Sequence, residues 1–206
     1  MCVRFIVSLA LGVATASAQP TGAWRSLFDG RSLAGWTETQ FPRRGPVRVE
    51  DGAIFLGAGA PLTGVTREGA PARTNYEVRF EASRVQGSDF FASFTFPVGD
   101  SHCTLVTGGW GGDIVGLSSI DGWDASDNET RSYFTFEVGR WYAFRLRVTP
   151  ARITAWIDGE SVIDVPIDGR VISLRAGEIK LSAPFGFASY GTTGAIRKVE
   201  FRQLRR

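Results

Sequence analysis

The sequence predicts an all-β protein built as a two-sheet antiparallel β-sandwich. Three observations carry that expectation. Apolar residues recur with a period of two, and no long segment keeps a period of 3.6. Tight-turn dipeptides fall at short intervals, and glycine is abundant, at 25 of 206 residues.

Taken in chain order, the first element is not part of the sandwich. Arg4 precedes an apolar run, Phe5 to Val13, which is followed by Ala16-Ser17-Ala18. That is the layout of a secretory signal peptide cut after Ala18, and the run is too short to span a membrane. Residues 1–18 are therefore expected to be a leader and residues 19–206 a single β-sandwich domain, secreted or periplasmic. The mature start, "SLFDGRSLAGW" (Ser26 to Trp36), places Phe28, Leu33 and Trp36 close together, separated by glycines. A large indole there reads mainly as a strap that ties the N-terminal segment onto a sheet.

The strands follow. "VRVE" and "AIFLG" flank Asp51-Gly52, and "RITAWI" and "ESVIDV" flank Asp158-Gly159. Asp-Gly between strand-like runs predicts a two-residue hairpin, because a type I′ turn needs positive φ at both central positions. In "NYEVRFEASRV", Tyr76, Val78, Phe80 and Ala82 alternate with Glu77, Arg79, Glu81 and Ser83. In "WYAFRLRVT", Tyr142, Phe144, Leu146 and Val148 alternate with Arg145, Arg147 and Thr149. Each run has one face for a core and one for water, so its register is well specified. Further strands are expected at Phe90–Phe96, Cys103–Val106, Ile114–Leu117, Tyr133–Phe136, Val171–Leu174, Glu178–Leu181 and Ala195–Arg202. A dozen short strands with Gly-rich turns call for two packed sheets.

Charge and cysteine content exclude several functions. The chain has 23 Lys plus Arg against 21 Asp plus Glu, with no basic block except the final Leu204-Arg205-Arg206, so no nucleic acid partner is expected. Beyond the leader the only cysteine is Cys103 and the only histidine is His102. That rules out an internal disulfide and a Cys/His zinc cluster.

Three segments together carry a resemblance. "SLFDGRSLAGW" opens the domain, "NYEVRFEASRV" follows, and "VGRWYAFRLRVTPARITAWIDGESVID" combines an aromatic pair, an alternating strand and a DG hairpin. From about Leu27 to Phe201 the chain resembles the 3-keto-disaccharide hydrolases, or 3-keto-glucoside lyase/hydratases, which have a concanavalin A-like jelly roll. The resemblance implies an exported β-sandwich acting on oxidised sugars or plant glycosides. Where that family usually reads "NSGI-FR", this chain reads "GSDFFASFTF", and the segment nearest the family's Glu-bearing strand, "SHCTLVTGG", has no carboxylate. Two further readings therefore stay open: a non-catalytic carbohydrate-binding module, and a structural interaction module.

The segment richest in candidate chemistry is Thr107 to Thr130. Trp110, Trp123, Asp121 and Asn128 suit sugar binding, since C–H faces stack on aromatic rings while amides and carboxylates take hydroxyls. The alternative is a long Gly/Asp turn whose tryptophans cap the sandwich edge. Glycoside hydrolysis needs two carboxylates at a set separation, and Asp113, Asp124 and Glu129 are the candidates. Elimination from a keto sugar needs a base and an enolate-stabilising donor, and His102 titrates in the right range for the base. His102 and Cys103 are neighbours on a strand, so their side chains take opposite faces, which disfavours a Cys/His nucleophile. Arg79 on its sheet face is a candidate for a sugar hydroxyl if that face is concave. No cofactor is expected. "DGWDASDNE" has oxygen ligands enough for calcium (Ca), but its spacing is not that of an EF-hand, and it reads as a solvated acidic turn.

Overall fold

A computed structural model describes residues 22–205. The expected leader, residues 1–18, lies outside the described residues. In chain order the strands are β1 (Arg25–Ser26), β2 (Trp36–Glu38), β3 (Val47–Glu50), β4 (Ala53–Leu56), β5 (Leu62–Arg67), β6 (Tyr76–Gln86), β7 (Ser93–Val98) and β8 (Ser101–Gly109). They continue with β9 (Ile114–Ser118), β10 (Ser132–Tyr133), β11 (Trp141–Val148), β12 (Arg152–Ile157), β13 (Glu160–Pro166), β14 (Gly186–Tyr190) and β15 (Thr193–Gln203). One 3-10 turn covers Glu178–Ser182. No helix of the described residues is long and apolar enough to cross a membrane.

Two antiparallel sheets form. The first runs β13-β12-β11-β6-β15-β4-β3, with β1 beside β15; the second runs β10-β9-β8-β7-β14-β5-β2. Both Asp-Gly pairs make the expected turns, with φ of 48° and 77° at Asp51 and Gly52, and 50° and 89° at Asp158 and Gly159. The alternation in β6 and β11 is realised as read. Tyr76, Val78, Phe80 and Ala82 face Val148, Leu146, Phe144 and Tyr142 in register and are buried, while Glu81 and the arginines lie on the opposite face.

The core sits between the sheets. Phe80 of the first sheet meets Phe94 and Phe187 of the second, with ring centroids 5.6 and 4.9 Å apart. Such edge-to-face pairs add to the large apolar area that each ring removes from water. Trp36 is the strap its position suggests. It is buried, its indole N–H donates to the Leu27 carbonyl at 2.8 Å, and its ring packs on Phe185 and Phe187.

The second sheet is buried on both faces, which removes the polar/apolar alternation from its strands. Its outer face carries a row of small side chains set across five strands: Ser118, Thr104, Thr95, Gly186 and Thr66, each opposite the next in register. The residues read as strands at Val171–Leu174 and Glu178–Leu181 are not strands. Ile172 makes a single bridge to Ile120, and the second segment is the 3-10 turn. Together they form a strap over the small-residue face. It is fastened by Ser119–Ser173 backbone bonds at one end and by the Thr66 hydroxyl donating to the Leu181 carbonyl at the other. Ile172 and Ile179 pack against the core beneath, while Val171 and Leu181 are exposed. The strand expected at Tyr133–Phe136 ends at Tyr133, because Phe134 and Phe136 turn to pack on Tyr142.

Candidate functional site

The strap does not cover the whole outer face of the second sheet. Beside it lies a cleft of ≈ 520 Å³. Ser93, Thr104, Val106 and Ser118 form its floor, contributed by β7, β8 and β9. Side chains no larger than valine on that floor leave room for a ligand, and the hydroxyls can both donate and accept. Thr104 and Thr95 share a hydrogen bond at 2.9 Å.

Two walls rise from this floor. On one side stand Pro61, Leu62, Phe90 and Tyr190, the two rings tilted against each other with centroids 5.6 Å apart. On the other, the strap supplies Arg175, Ala176, Glu178 and Ile179. Trp110 completes the rim at the turn between β8 and β9 and is 40% exposed.

The turn that presents Trp110 is held from below. Trp110 itself has a φ of 49°, an uncommon conformation for a bulky residue. Arg84, buried beneath, donates to the carbonyls of Gly112 at 2.6 Å and of Gly108 and Phe136 at 3.4 Å. Gly108 has φ of 81°, and a side chain there would collide with the Arg84 guanidinium. Asp89 anchors the same turn, accepting from the backbone N–H of Phe90 at 2.7 Å and of Gly111 at 3.3 Å.

The electrostatics centre on Arg175. Its guanidinium carbon is 5.4 Å from the Trp110 ring centroid, and its Nε is 3.1 Å from Asp124 Oδ2. Asp124 is itself fixed by the Ser119 hydroxyl at 3.0 Å. Glu178 has no ion pair among the described residues and lines the cleft with its carboxylate uncommitted.

The residues singled out from sequence are dispersed. Trp110 lines the cleft, and Asp124 reaches it through Arg175. Asp121 and Glu129 lie outside it, both paired with Arg170, at 2.5 and 2.6 Å. The Val171 N–H and then Arg170 hold the Asp121 carboxyl below its usual range, and Arg170 does the same to Glu129. Both acids thus pin the start of the strap. Asn128 is buried, and its amide donates to the carbonyls of Leu117 and Trp123 while its oxygen accepts from Thr130. Trp123 is 63% exposed and Asp113 is exposed, and neither borders the cleft. His102 shares the face of Thr104 but sits beyond the cleft. Burial, and then Arg73, push its pKa down. Cys103 takes the opposite, buried face, as alternation requires. Arg79 is on the outer face of the other sheet, under Trp24 and 2.6 Å from Glu200, away from this cleft. Sequence reasoning missed Ser93, Thr104, Ser118, Asp89, Tyr190, Arg175 and Glu178. For Tyr190 alone there was a local signal, an aromatic at the end of an apolar run.

Among the described residues no group of three or more His, Cys, Asp or Glu side chains gathers to hold a metal ion.

Solved structures with the same fold share little sequence with this chain. A carbohydrate binding module from Bacillus subtilis superposes with a TM-score of 0.55 at 12% identity, covering 82% of this chain and 96% of its own. Domain 4 of an extracellular arabinanase from Geobacillus stearothermophilus, in complex with arabinotriose, gives 0.58 at 18% identity, covering 91% and 93%. A transglycosylase in complex with NAG gives 0.59 at 10%, covering 92% and 86%. No curated protein sequence matches the chain significantly. The family described as the 3-keto-alpha-glucoside-1,2-lyase-like domain matches residues 23–205, nearly all of the jelly roll, and the chain belongs to that family.

Proposed function

We propose that this chain is an exported carbohydrate-active domain that binds a glycoside in the cleft beside the strap and cleaves or eliminates the glycosidic bond of (keto-)glycosides. The observation that carries this reading is the cleft itself. An exposed indole and a Phe/Tyr pair stand on its rim, and hydroxyls from three strands form its floor. Sugars present apolar C–H faces to rings and hydroxyls to polar groups, and this lining offers both. Family membership and the carbohydrate-binding neighbours support the same class of ligand.

The chemistry follows from the charged lining. In a 3-keto sugar the C–H bond next to the carbonyl is acidified. Glu178 takes that proton, the electron pair moves onto the carbonyl oxygen, and the Arg175 guanidinium stabilises the enolate. The enolate then expels the C1 substituent, which recovers the proton from Glu178. Asp124 acts as a positioning residue by fixing Arg175 through its Nε.

A second reading, binding without turnover, is favoured by a separate observation. Asp121, Asp124 and Glu129 are all committed to arginines, and Asp89 to backbone N–H groups, so Glu178 alone is uncommitted in the cleft. Incubation with a panel of 3-keto-glucosides, read by released sugar, decides between the two. Turnover abolished by Glu178→Gln with binding retained supports the enzyme. Binding without turnover in the unaltered protein supports the second reading. N-terminal sequencing of the exported protein, expected to begin at Gln19, tests the leader.

A further inference from the structure

The outer face of the first sheet, on the far side of the molecule from the cleft, carries a second hollow of ≈ 600 Å³. Trp24, Arg79, Arg145, Trp156, Lys198 and Glu200 border it. Four of these form a row across neighbouring strands. Trp156 is opposite Arg145, Arg145 is opposite Arg79, and Arg79 is opposite Glu200. Two guanidinium groups thus stand directly opposite one another, an arrangement that costs stability in a sheet.

The carboxylates of this face are already shared out. Glu200 holds Arg79 at 2.6 Å. Glu77, fully buried, takes both Arg147 and Arg202. Glu81 takes both Arg197 and Lys198 at 2.7 Å. Glu200, Glu77 and Glu81 thus serve Arg79, Arg147, Arg202, Arg197 and Lys198, and further out on the same face Arg152 is paired with Asp164 and Arg48 with Glu50. Arg145 has no carboxylate partner among the described residues, and its guanidinium carbon lies 3.8 Å from the Trp156 ring centroid. Its partial burial, together with Arg147 and Arg202, disfavours its charge, although Glu77 opposes them. An arginine nevertheless stays protonated in a protein. The fold thus maintains a guanidinium without a carboxylate partner, stacked on the half-buried Trp156 and next in the row to Arg79, which lies under the half-buried Trp24.

The geometry points to a second binding site on this face, for an acidic saccharide: Arg145 takes the carboxylate of a uronate unit, and adjoining sugar units lie along the row between Trp24 and Trp156. A guanidinium fork matches a carboxylate with two parallel hydrogen bonds. The indole surfaces distinguish a sugar from a bare anion, because they add apolar contact that a small ion cannot use. The site is independent of the cleft and of any activity there.

Isothermal titration with trigalacturonate at low ionic strength tests it, with the fully methyl-esterified trimer as control. The acid is expected to bind and the ester not to. Arg145→Gln is expected to weaken binding about tenfold or more, as loss of a charge-assisted pair requires. Trp110→Ala, in the other cleft, should leave the acid's affinity unchanged. Equal binding of acid and ester overturns the proposal, as does absence of binding by the acid, or binding lost with Trp110→Ala. Inorganic tripolyphosphate binding as tightly as the trimer also overturns it, by showing charge attraction without sugar recognition. The comparison of acid with ester uses the unaltered protein and stands even if Arg145→Gln does not fold.

Discussion

The Arg175 guanidinium lies over the Trp110 ring, 5.4 Å from its centroid, so the strap and the β8–β9 turn meet at the rim of the cleft. Trp110 is 40% exposed and stands outside the hydrophobic core. Replacing it with alanine is expected to lower saccharide affinity about tenfold, equivalent to about 1.4 kcal/mol. The thermal midpoint should hardly move. Titration calorimetry and a melting curve on the same variant check both halves.

Arg84 has a structural task beneath that rim. Its guanidinium is the buried donor to three carbonyls of the turn and its neighbour. Arg84→Met leaves those acceptors without a charged donor and should cost about 2–3 kcal/mol in urea unfolding. Ligand affinity should fall with it, because the turn that presents Trp110 is released. A variant that unfolds at the wild-type urea midpoint would refute this role.

The strap is pinned by Asp121 and Glu129 through Arg170. Both carboxyls are held below their usual range by these contacts. Their contribution is present above the unfolded-state carboxylate pKa and is lost as pH falls through the lower folded-state values. Cleft affinity should therefore decline at acid pH. The double variant Asp121→Asn, Glu129→Gln should show faster amide exchange in residues 171–175 already at neutral pH.

His102 gives a dependence of the same sign on a different group, displaced to higher pH. Burial, then Arg73, depress its pKa, so the folded protein binds protons less readily than the unfolded chain does. That destabilisation is present at low pH and is relieved as pH rises through the unfolded-state histidine value. Stability attributable to His102 should increase between about pH 5 and 8. The difference in urea midpoint between wild type and His102→Gln, followed over that range, isolates it.

Burial pushes the Cys103 thiol up to about 12, and it is fully enclosed. The thiolate that reacts with disulfide reagents is absent at neutral pH. In a chain lacking residues 1–18, no thiol should titrate in the native state, and one should appear on unfolding.

What could be read from sequence was decided by solvent on one face. β6 and β11 were legible because their outer faces meet water, so Arg79 and Arg145 alternate visibly with Phe80 and Phe144. The Asp-Gly hairpins were legible because few dipeptides tolerate two positive φ angles. β5 and β14 were not, since "LTGVTR" and "GFASY" lie in a sheet covered on both sides, and their Gly, Thr and Ser residues resemble loop composition. The strap was misread for the converse reason, because apolar residues covering a sheet imitate a strand. The cleft floor was beyond reach. Ser93, Thr104 and Ser118 are ordinary residues on separate strands, and only sheet register makes them neighbours. Acids gathered in one stretch, Asp121 to Glu129, drew attention by their density, yet fastening the fold accounts for most of their contacts.

The strands of the second sheet divide two tasks between alternate residues. Phe94 and Leu105 look inward and hold the layers together, while Ser93 and Thr104, their immediate neighbours, look out toward the cleft. Selection can therefore alter which molecule is accepted by exchanging every second side chain, with cohesion left intact. A scaffold partitioned in this way can change its diet over evolutionary time without passing through unfolded ancestors.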